Sequence, residues 1–228
     1  MDWVSFYDFK HSVIYVNARH RDVHYRRIAE DIRGYVSSPA ARVLDYGCGE
    51  ATSADLIAKA AGHLTMVEAA PNVRASLQAR YAGDKTISVL TPDQAAALPA
   101  GSFDLIVMHS VAQYLSAAEL DTLLAMFRRL LAPNGTFVVG DIVPPKMAAP
   151  AAAFTLLRFG VANGFFWAAV GGLMRIFVSD YLTLRKTVGL SHYTKAAMLK
   201  RLRTAGFAAS PAPRNIGHNQ WRMTFLAR

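Results

Sequence analysis

Short apolar runs closed by acids or glycines alternate with longer amphipathic stretches through the first two thirds of the chain, a pattern that predicts strands separated by helices. Val43 and Leu44 read as a buried strand ending at Asp45. Residues 53–61 carry Leu56 and Ile57 on one face and stop at Gly62, so a helix with a glycine C-terminus is expected there. Residues 64–68 read as a second strand ending in Glu68, and Pro71 suits the first turn of the next helix, where its missing N–H is not needed. Residues 86–90 predict a third strand, with Asp93 and Gln94 just beyond it. Ser116 and Glu119 form a capping box for a helix whose apolar face is Leu120, Leu123, Leu124, Phe127 and Leu131. Residues 194–205 predict another helix, stopped by Gly206, and residues 214–216 with 220–226 read as a closing hairpin. Upstream, residues 11–35 read as a broken helical segment rich in rings and bases, among them His11, Tyr15, Arg19, His20, His24 and Tyr25. Ser37, Ser38 and Pro39 separate it from the first strand.

The most informative string is Asp45-Tyr46-Gly47-Cys48-Gly49-Glu50-Ala51-Thr52. Gly47 and Gly49 let the backbone turn sharply and come close to a ligand, because no Cβ stands in the way. The helix that follows offers free N–H groups and a partial positive charge. A dinucleotide site wants a third glycine where Thr52 stands, and Asp45 would sit poorly beside a pyrophosphate. A carboxylate there suits an ammonium group instead. Glu68 lies 19 positions beyond Gly49, close to the ~20-residue offset at which an acid reaches ribose hydroxyls.

Asp45-x-Gly47-x-Gly49 resembles motif I of the class I S-adenosylmethionine-dependent methyltransferases. Leu98-Pro99, then Phe103-Asp104 and an apolar run to His109, resemble a second segment of that family. Leu131-x-Pro133-Asn134-Gly135 and the run after it resemble a third, with asparagine at its first glycine. The resemblance covers residues 40–141 and the C-terminal end. It implies an α/β fold: a doubly wound, seven-stranded, mostly parallel sheet of the Rossmann-like methyltransferase type, its last strand antiparallel. Residues 1–38 are then an N-terminal helical cap, and residues 39–228 the S-adenosylmethionine-binding domain. An apolar helical lid at residues 142–193 is inserted after the fifth strand.

The implied cofactor is S-adenosylmethionine, leaving as S-adenosylhomocysteine. By the resemblance, Asp45, Gly47 and Gly49 hold its methionine end, Glu68 its ribose, and Asp93 or Gln94 its adenine, with Tyr46 and Ala69 also among the cofactor-binding residues. His109, at the end of the fourth strand, can touch cofactor or acceptor, or act as a base. Tyr15 and His20 are further catalytic candidates, closing over the site from the N-terminal segment with Arg19 and His24. His218, Asn219 and Gln220 read as turn residues. Cys48 reads as a small filler. No histidine or cysteine spacing suits a metal, and Asp141 lacks an obvious partner.

Composition refines the acceptor. The chain has 228 residues, enough for one α/β core, and one cysteine, which fits a reducing compartment. Its start lacks a signal-peptide pattern, so a cytoplasmic site is expected. A formal net charge of +9 with 53% hydrophobic residues leans toward a membrane surface at the inner face of the bilayer. The apolar run from 147 to 178 is the segment for that contact, but its centre is bounded too tightly by Arg158 and Arg175 for a span of ~20 residues. It reads either as a lid burying Phe165, Phe166 and Trp167, or as a lid in the membrane interface with Arg158, Arg175, Arg185 and Lys186 near headgroups. Both favour a small, apolar or lipid-like acceptor. Nucleic-acid methylation is the alternative, and Met108-His109-Ser110-Val111 does not supply the Pro-Pro-aromatic grip on a flipped base. A cofactor-binding partner or membrane-docked scaffold that does not methylate is the other alternative. The oligomeric state stays open.

Overall fold

The computed structural model describes residues 3–10, 15–145, 149–176 and 189–228. Expectations for His11, Arg185 and Lys186, and for Met147 and Val178 at the ends of the apolar run, fall outside these, as does the side chain of Arg175.

Seven strands form one sheet in the order β3-β2-β1-β4-β5-β7-β6. They are β1 (Arg42–Tyr46), β2 (His63–Val67), β3 (Ile87–Leu90), β4 (Phe103–His109), β5 (Leu131–Ile142), β6 (Ala209–Pro211) and β7 (Met223–Ala227). The first five pair in parallel, while β7 lies antiparallel between β5 and β6. The helices are α1 (Trp3–Lys10), α2 (Ala18–Arg33), α3 (Asp55–Ala58), α4 (Pro71–Tyr81), α5 (Pro92–Ala96), α6 (Ala117–Leu130), α7 (Ala149–Asn163), α8 (Phe166–Ile176) and α9 (Lys195–Thr204). The doubly wound, mostly parallel architecture is the one the sequence implies.

Sheet strands buried on both faces explain the continuous apolar runs. Val43 and Leu44 are both sealed from solvent yet belong to different layers. Val43 packs with Ile32, Ile57, Leu64 and Leu77, and Leu44 with Phe127, Phe137 and Leu202. Strand order reverses between β1 and β4, and at such a switch point the loops leaving the two carboxyl ends part and open a crevice. Tyr46, the end of β1, stands in register beside it with Met108, the residue before the end of β4.

Helix ends follow the local chemistry. Ser116 and Glu119 make the expected reciprocal cap on α6, Thr194 caps α9, and Pro71 opens α4. Asn134, where the family pattern has glycine, takes a left-handed φ of 63°, which asparagine tolerates better than most residues. Three expectations need correction. The helix expected over residues 53–61 is only the four-residue α3, because Ala51 turns left-handed at φ 38° and the flanking bonds are i→i+3 turns. The closing hairpin is β6 with β7 rather than residues 214–216 with 220–226. Asn215 directs its amide to Asp141, Asn219 and Thr224, which fixes that segment as a loop. The N-terminal segment starts earlier than expected, as α1 begins at Trp3.

Phe127, fully buried between Tyr46 and Phe137, ties α6 to the sheet. Phe127→Ala is expected to cost ~3–5 kcal/mol, the usual range for emptying such a site, read as a lowered urea midpoint.

Candidate active site

The loop after β1 is shaped by hydrogen bonds to its neighbours. The N–H groups of Gly47 and Cys48 donate to the Val67 carbonyl, at 2.8 and 3.3 Å. Glu68 then joins two turns: its Oε2 accepts the Gly49 N–H at 2.9 Å and its Oε1 the Ala70 N–H at 2.8 Å. Gly47 and Gly49 both have left-handed φ, 74° and 61°, and a Cβ on either would strike Val111 or the Tyr25 hydroxyl within 2.5 Å. Glycine is therefore required there twice over, by conformation and by space.

This loop borders a cavity of about 1020 Å³. Ligand pockets run to ~1,000 Å³, so there is room for a nucleotide-sized group and a second molecule. Of the residues expected at a site, Tyr15, His20, Asp45, Tyr46, Gly47, Gly49, Glu68, Ala69 and His109 line it. Asp93 and Gln94 do not. Asp93 is exposed on α5, and the Gln94 amide is committed to the N-cap of that helix, accepting the Thr91 N–H at 2.8 Å. The Tyr46 ring packs edge-on against Phe127, 5.1 Å between centroids.

Two acids sit at the cavity in low dielectric. Burial, together with the nearby charge of Glu68, pushes Asp45 up to about 7. Burial also raises Glu68, against the opposing pull of the N–H groups of Ala70 and Gly49. An acid held so far above its ordinary range is stabilised as the anion by any cation brought to it. Cys48 is buried, and burial with Asp45 and Glu68 nearby raises its thiol well above the ordinary value, so it stays unreactive.

The opposite wall carries aromatic and imidazole rings that sequence reasoning only partly located. Tyr15 donates to the Tyr25 hydroxyl at 3.0 Å, and that oxygen also accepts the Glu50 N–H at 2.9 Å. His20 and His24, one turn apart on α2, meet His218 from the β6–β7 connection, with centroids 5.7–6.3 Å apart. His218 is a wall residue and not only a turn residue. Its loop is tied to α2 because Asp31 accepts the Gly217 N–H at 2.9 Å and pairs with Arg214. The end of α7 and its turn into α8 close the other side, Phe159 stacking on His218 at 4.3 Å and Phe165 on His20 at 4.9 Å. Burial lowers His20 and His218 to about 4 each. Asp141 is engaged by Ser110, Asn215 and Arg222. Burial alone would raise it, but the Arg222 charge brings it down to about 2. Trp3, Tyr7 and Tyr114 add a second aromatic group, Trp3 against Tyr114 at 4.5 Å. No sequence signal places α1 there, since Trp3 and Tyr7 meet Tyr114 from more than a hundred positions away.

Residues 44–139 match a family model described as a methyltransferase domain. Over that stretch the chain carries a methyltransferase domain. No curated protein sequence matches the chain. Among solved structures, magnesium protoporphyrin IX methyltransferase (ChlM) from Synechocystis PCC 6803 with bound SAH is similar over 98% of this chain and 95% of that one, at 16% identity and TM-score 0.61. The DhpI–SAH complex is similar over 99% and 94%, at 12% identity and TM-score 0.62. YcgJ from Bacillus subtilis matches 82% of this chain and 70% of its own, at 16% identity and TM-score 0.57. At these identities the likeness establishes the methyltransferase fold. The match from 44 to 139 ends inside β5, so α7 and α8, and α1 and α2 before β1, lie outside the matched core of the methyltransferase domain.

The lowered imidazoles make a stability test. Below pH ~6.5 the unfolded chain binds protons that native His218 refuses, so its contribution to stability is lost as pH falls from ~6.5 toward its folded value. The stability gap between wild type and His218→Phe in urea should therefore move in the variant's favour by ~1–2 kcal/mol between pH 7 and 5. A gap independent of pH would mean that His218 titrates normally.

Proposed function

We propose that this protein transfers the methyl group of S-adenosylmethionine to a small, apolar or lipid-like acceptor. The observation that carries the reading is the single cavity that joins the buried acids of the β1 and β2 ends to a wall of rings and aliphatic side chains, Trp3, Tyr15, Leu123, Leu156 and Leu190 among them. Residues 1–38 act as a cap and 142–193 as a lid over the core.

The residues present suit the donor. Asp45 is a carboxylate whose ionisation a neighbouring ammonium would favour. Glu68 keeps a lone pair on each oxygen beyond those used by Gly49 and Ala70, which suits ribose hydroxyls. When bound, the donor supplies an electrophilic methyl group on a sulfonium. The protein's part is to hold donor and acceptor in line and to keep water out. Asp45 and the Gly47–Gly49 backbone orient the methionine end, and α2 with the lid excludes solvent from the acceptor side.

A second reading, that the lid rests in a membrane interface, is favoured by where its apolar residues point. Phe165 is buried and Phe166 half-buried, but Trp167 is 81% and Phe154 63% exposed, with Val161 and Met174 exposed too. The lid therefore does not bury Trp167. Among the described residues no helix is long and apolar enough to cross a membrane, so the contact in this reading is peripheral.

Methyl-labelled donor with a cell extract, followed by organic partition, tests the acceptor class: label in the organic phase is expected, and label confined to nucleic acid overturns the reading. Calorimetry with S-adenosylhomocysteine tests the site. Affinity should fall as pH drops below about 7, by at most about tenfold per unit, because Asp45 must lose a proton to meet the ammonium. Asp45→Asn should bind more weakly and without that slope. Trp167→Ser with Phe154→Ser should abolish binding to anionic vesicles; unchanged flotation removes the membrane reading.

A further inference from the structure

We propose that Tyr25, from the N-terminal cap, reads the amino-acid end of the cofactor: its hydroxyl proton goes to the carboxylate, while Asp45 meets the ammonium. This deepens the methyl-transfer reading above and rests on it.

The hydrogen-bond inventory of the loop after β1 carries the assignment. The four successive N–H groups from Gly47 to Glu50 are all spent inside the protein. Gly47 and Cys48 donate to the Val67 carbonyl, Gly49 to Glu68, and Glu50 to the Tyr25 hydroxyl at 2.9 Å. The helix beyond, α3, has four residues and so little aligned dipole to offer an anion. A ligand anion at the Gly47–Gly49 turn therefore has to be met by a side chain.

Tyr25 is placed to be that side chain. Its hydroxyl accepts twice, from the Glu50 N–H and from the Tyr15 hydroxyl at 3.0 Å. A phenol oxygen also has one proton to give, and among the described residues no group accepts it. The side chain is half-buried and borders the cavity. A Cβ built on Gly49 would fall 2.5 Å from the hydroxyl, so this oxygen is held directly against the glycine turn. In effect it takes in the Glu50 N–H and presents a proton of its own in its place. Two incoming donors strengthen that outgoing bond, because hydrogen bonds in a chain polarise one another. A proton left over at a cavity wall asks for a ligand atom that accepts.

Of the groups on the cofactor, the carboxylate answers best. It only accepts, and its charge makes the bond stronger than one to a neutral oxygen. The ribose hydroxyls have protons to place, and the free lone pairs of Glu68 suit them. In an amino acid the ammonium and the carboxylate share one carbon, so their partners must stand close together. Asp45 and Tyr25 are both within electrostatic reach of Cys48, the residue between the two glycines. The carboxylate of Glu50, which would repel a ligand anion, is paired with Arg21 at 3.4 Å. The site thus reads a zwitterion with one acid and one neutral hydroxyl, and discriminates against a molecule from which the carboxylate has been removed.

The test is calorimetry on the full chain with two ligands, S-adenosylhomocysteine and its decarboxylated amine, S-adenosyl-3-thiopropylamine. The amine keeps the ammonium for Asp45 and lacks only the carboxylate. Wild type is expected to bind S-adenosylhomocysteine at least about tenfold more tightly than the amine. Tyr25→Phe should weaken S-adenosylhomocysteine by about 10–100-fold, the range of one charge-assisted hydrogen bond, and leave the amine within about twofold. Equal binding of the two ligands by wild type overturns the proposal. So does a Tyr25→Phe loss that is absent, or that is the same for both ligands, since the hydroxyl then serves the turn or the ribose. A second measurement needs no variant. With tyrosines labelled at Cζ, the Tyr25 resonance of wild type should move on addition of S-adenosylhomocysteine and hold its place on addition of the amine. The same movement with both overturns the proposal even where Tyr25→Phe fails to fold. Failure of wild type to bind S-adenosylhomocysteine would instead defeat the underlying methyl-transfer reading.

Discussion

One carboxylate holds the centre of this molecule together. Glu68 takes the N–H groups of Gly49 and Ala70, so the turn after β1 and the turn after β2 are fixed to each other at the switch point of the sheet. Arg74 reinforces it by donating to the Glu68 carbonyl at 2.8 Å. Because the same carboxylate is buried, its field reaches Asp45 and helps keep that acid high. Shape and electrostatics at this end of the cavity therefore share one cause. The glycines then determine how close Val111 and Tyr25 can come.

Much of the fold was legible because it is written in local periodicity. Buried parallel strands leave apolar runs such as Val43-Leu44 and 64–67, and the caps at Ser116 and Thr194 are four-residue signals. The motif residues at the ends of β1 and β2 were legible for the same reason, since Asp45, Gly47, Gly49 and Glu68 act within two short turns. The misses share a different cause. The four-residue α3 yields to a left-handed Ala51, and residues 214–216 yield to the Asn215 amide; both decisions are made by single residues against the propensity of their neighbours.

The ring-lined wall of the cavity was legible only as a list of suspicious residue types. His20 and His24 stood out on an amphipathic helix, but His218 is nearly two hundred positions away and meets them only because Asp31 secures its loop. Asp141 and Arg222 find each other across the β5–β7 pairing in the same manner. The aromatic group of Trp3, Tyr7 and Tyr114 depends on α1 docking beside α4, where Asp8 accepts the Asn72 backbone and side-chain N–H groups. Residue type suggested chemistry in each case, and only tertiary packing could say which chemistry meets which.

The stacking of Phe159 on His218 and of Phe165 on His20 has a consequence for motion. These rings take part in the burial that lowers the imidazoles of His20 and His218. A movement that exposed the two histidines to water would return each toward its ordinary affinity for protons, and proton uptake would then favour the more open form.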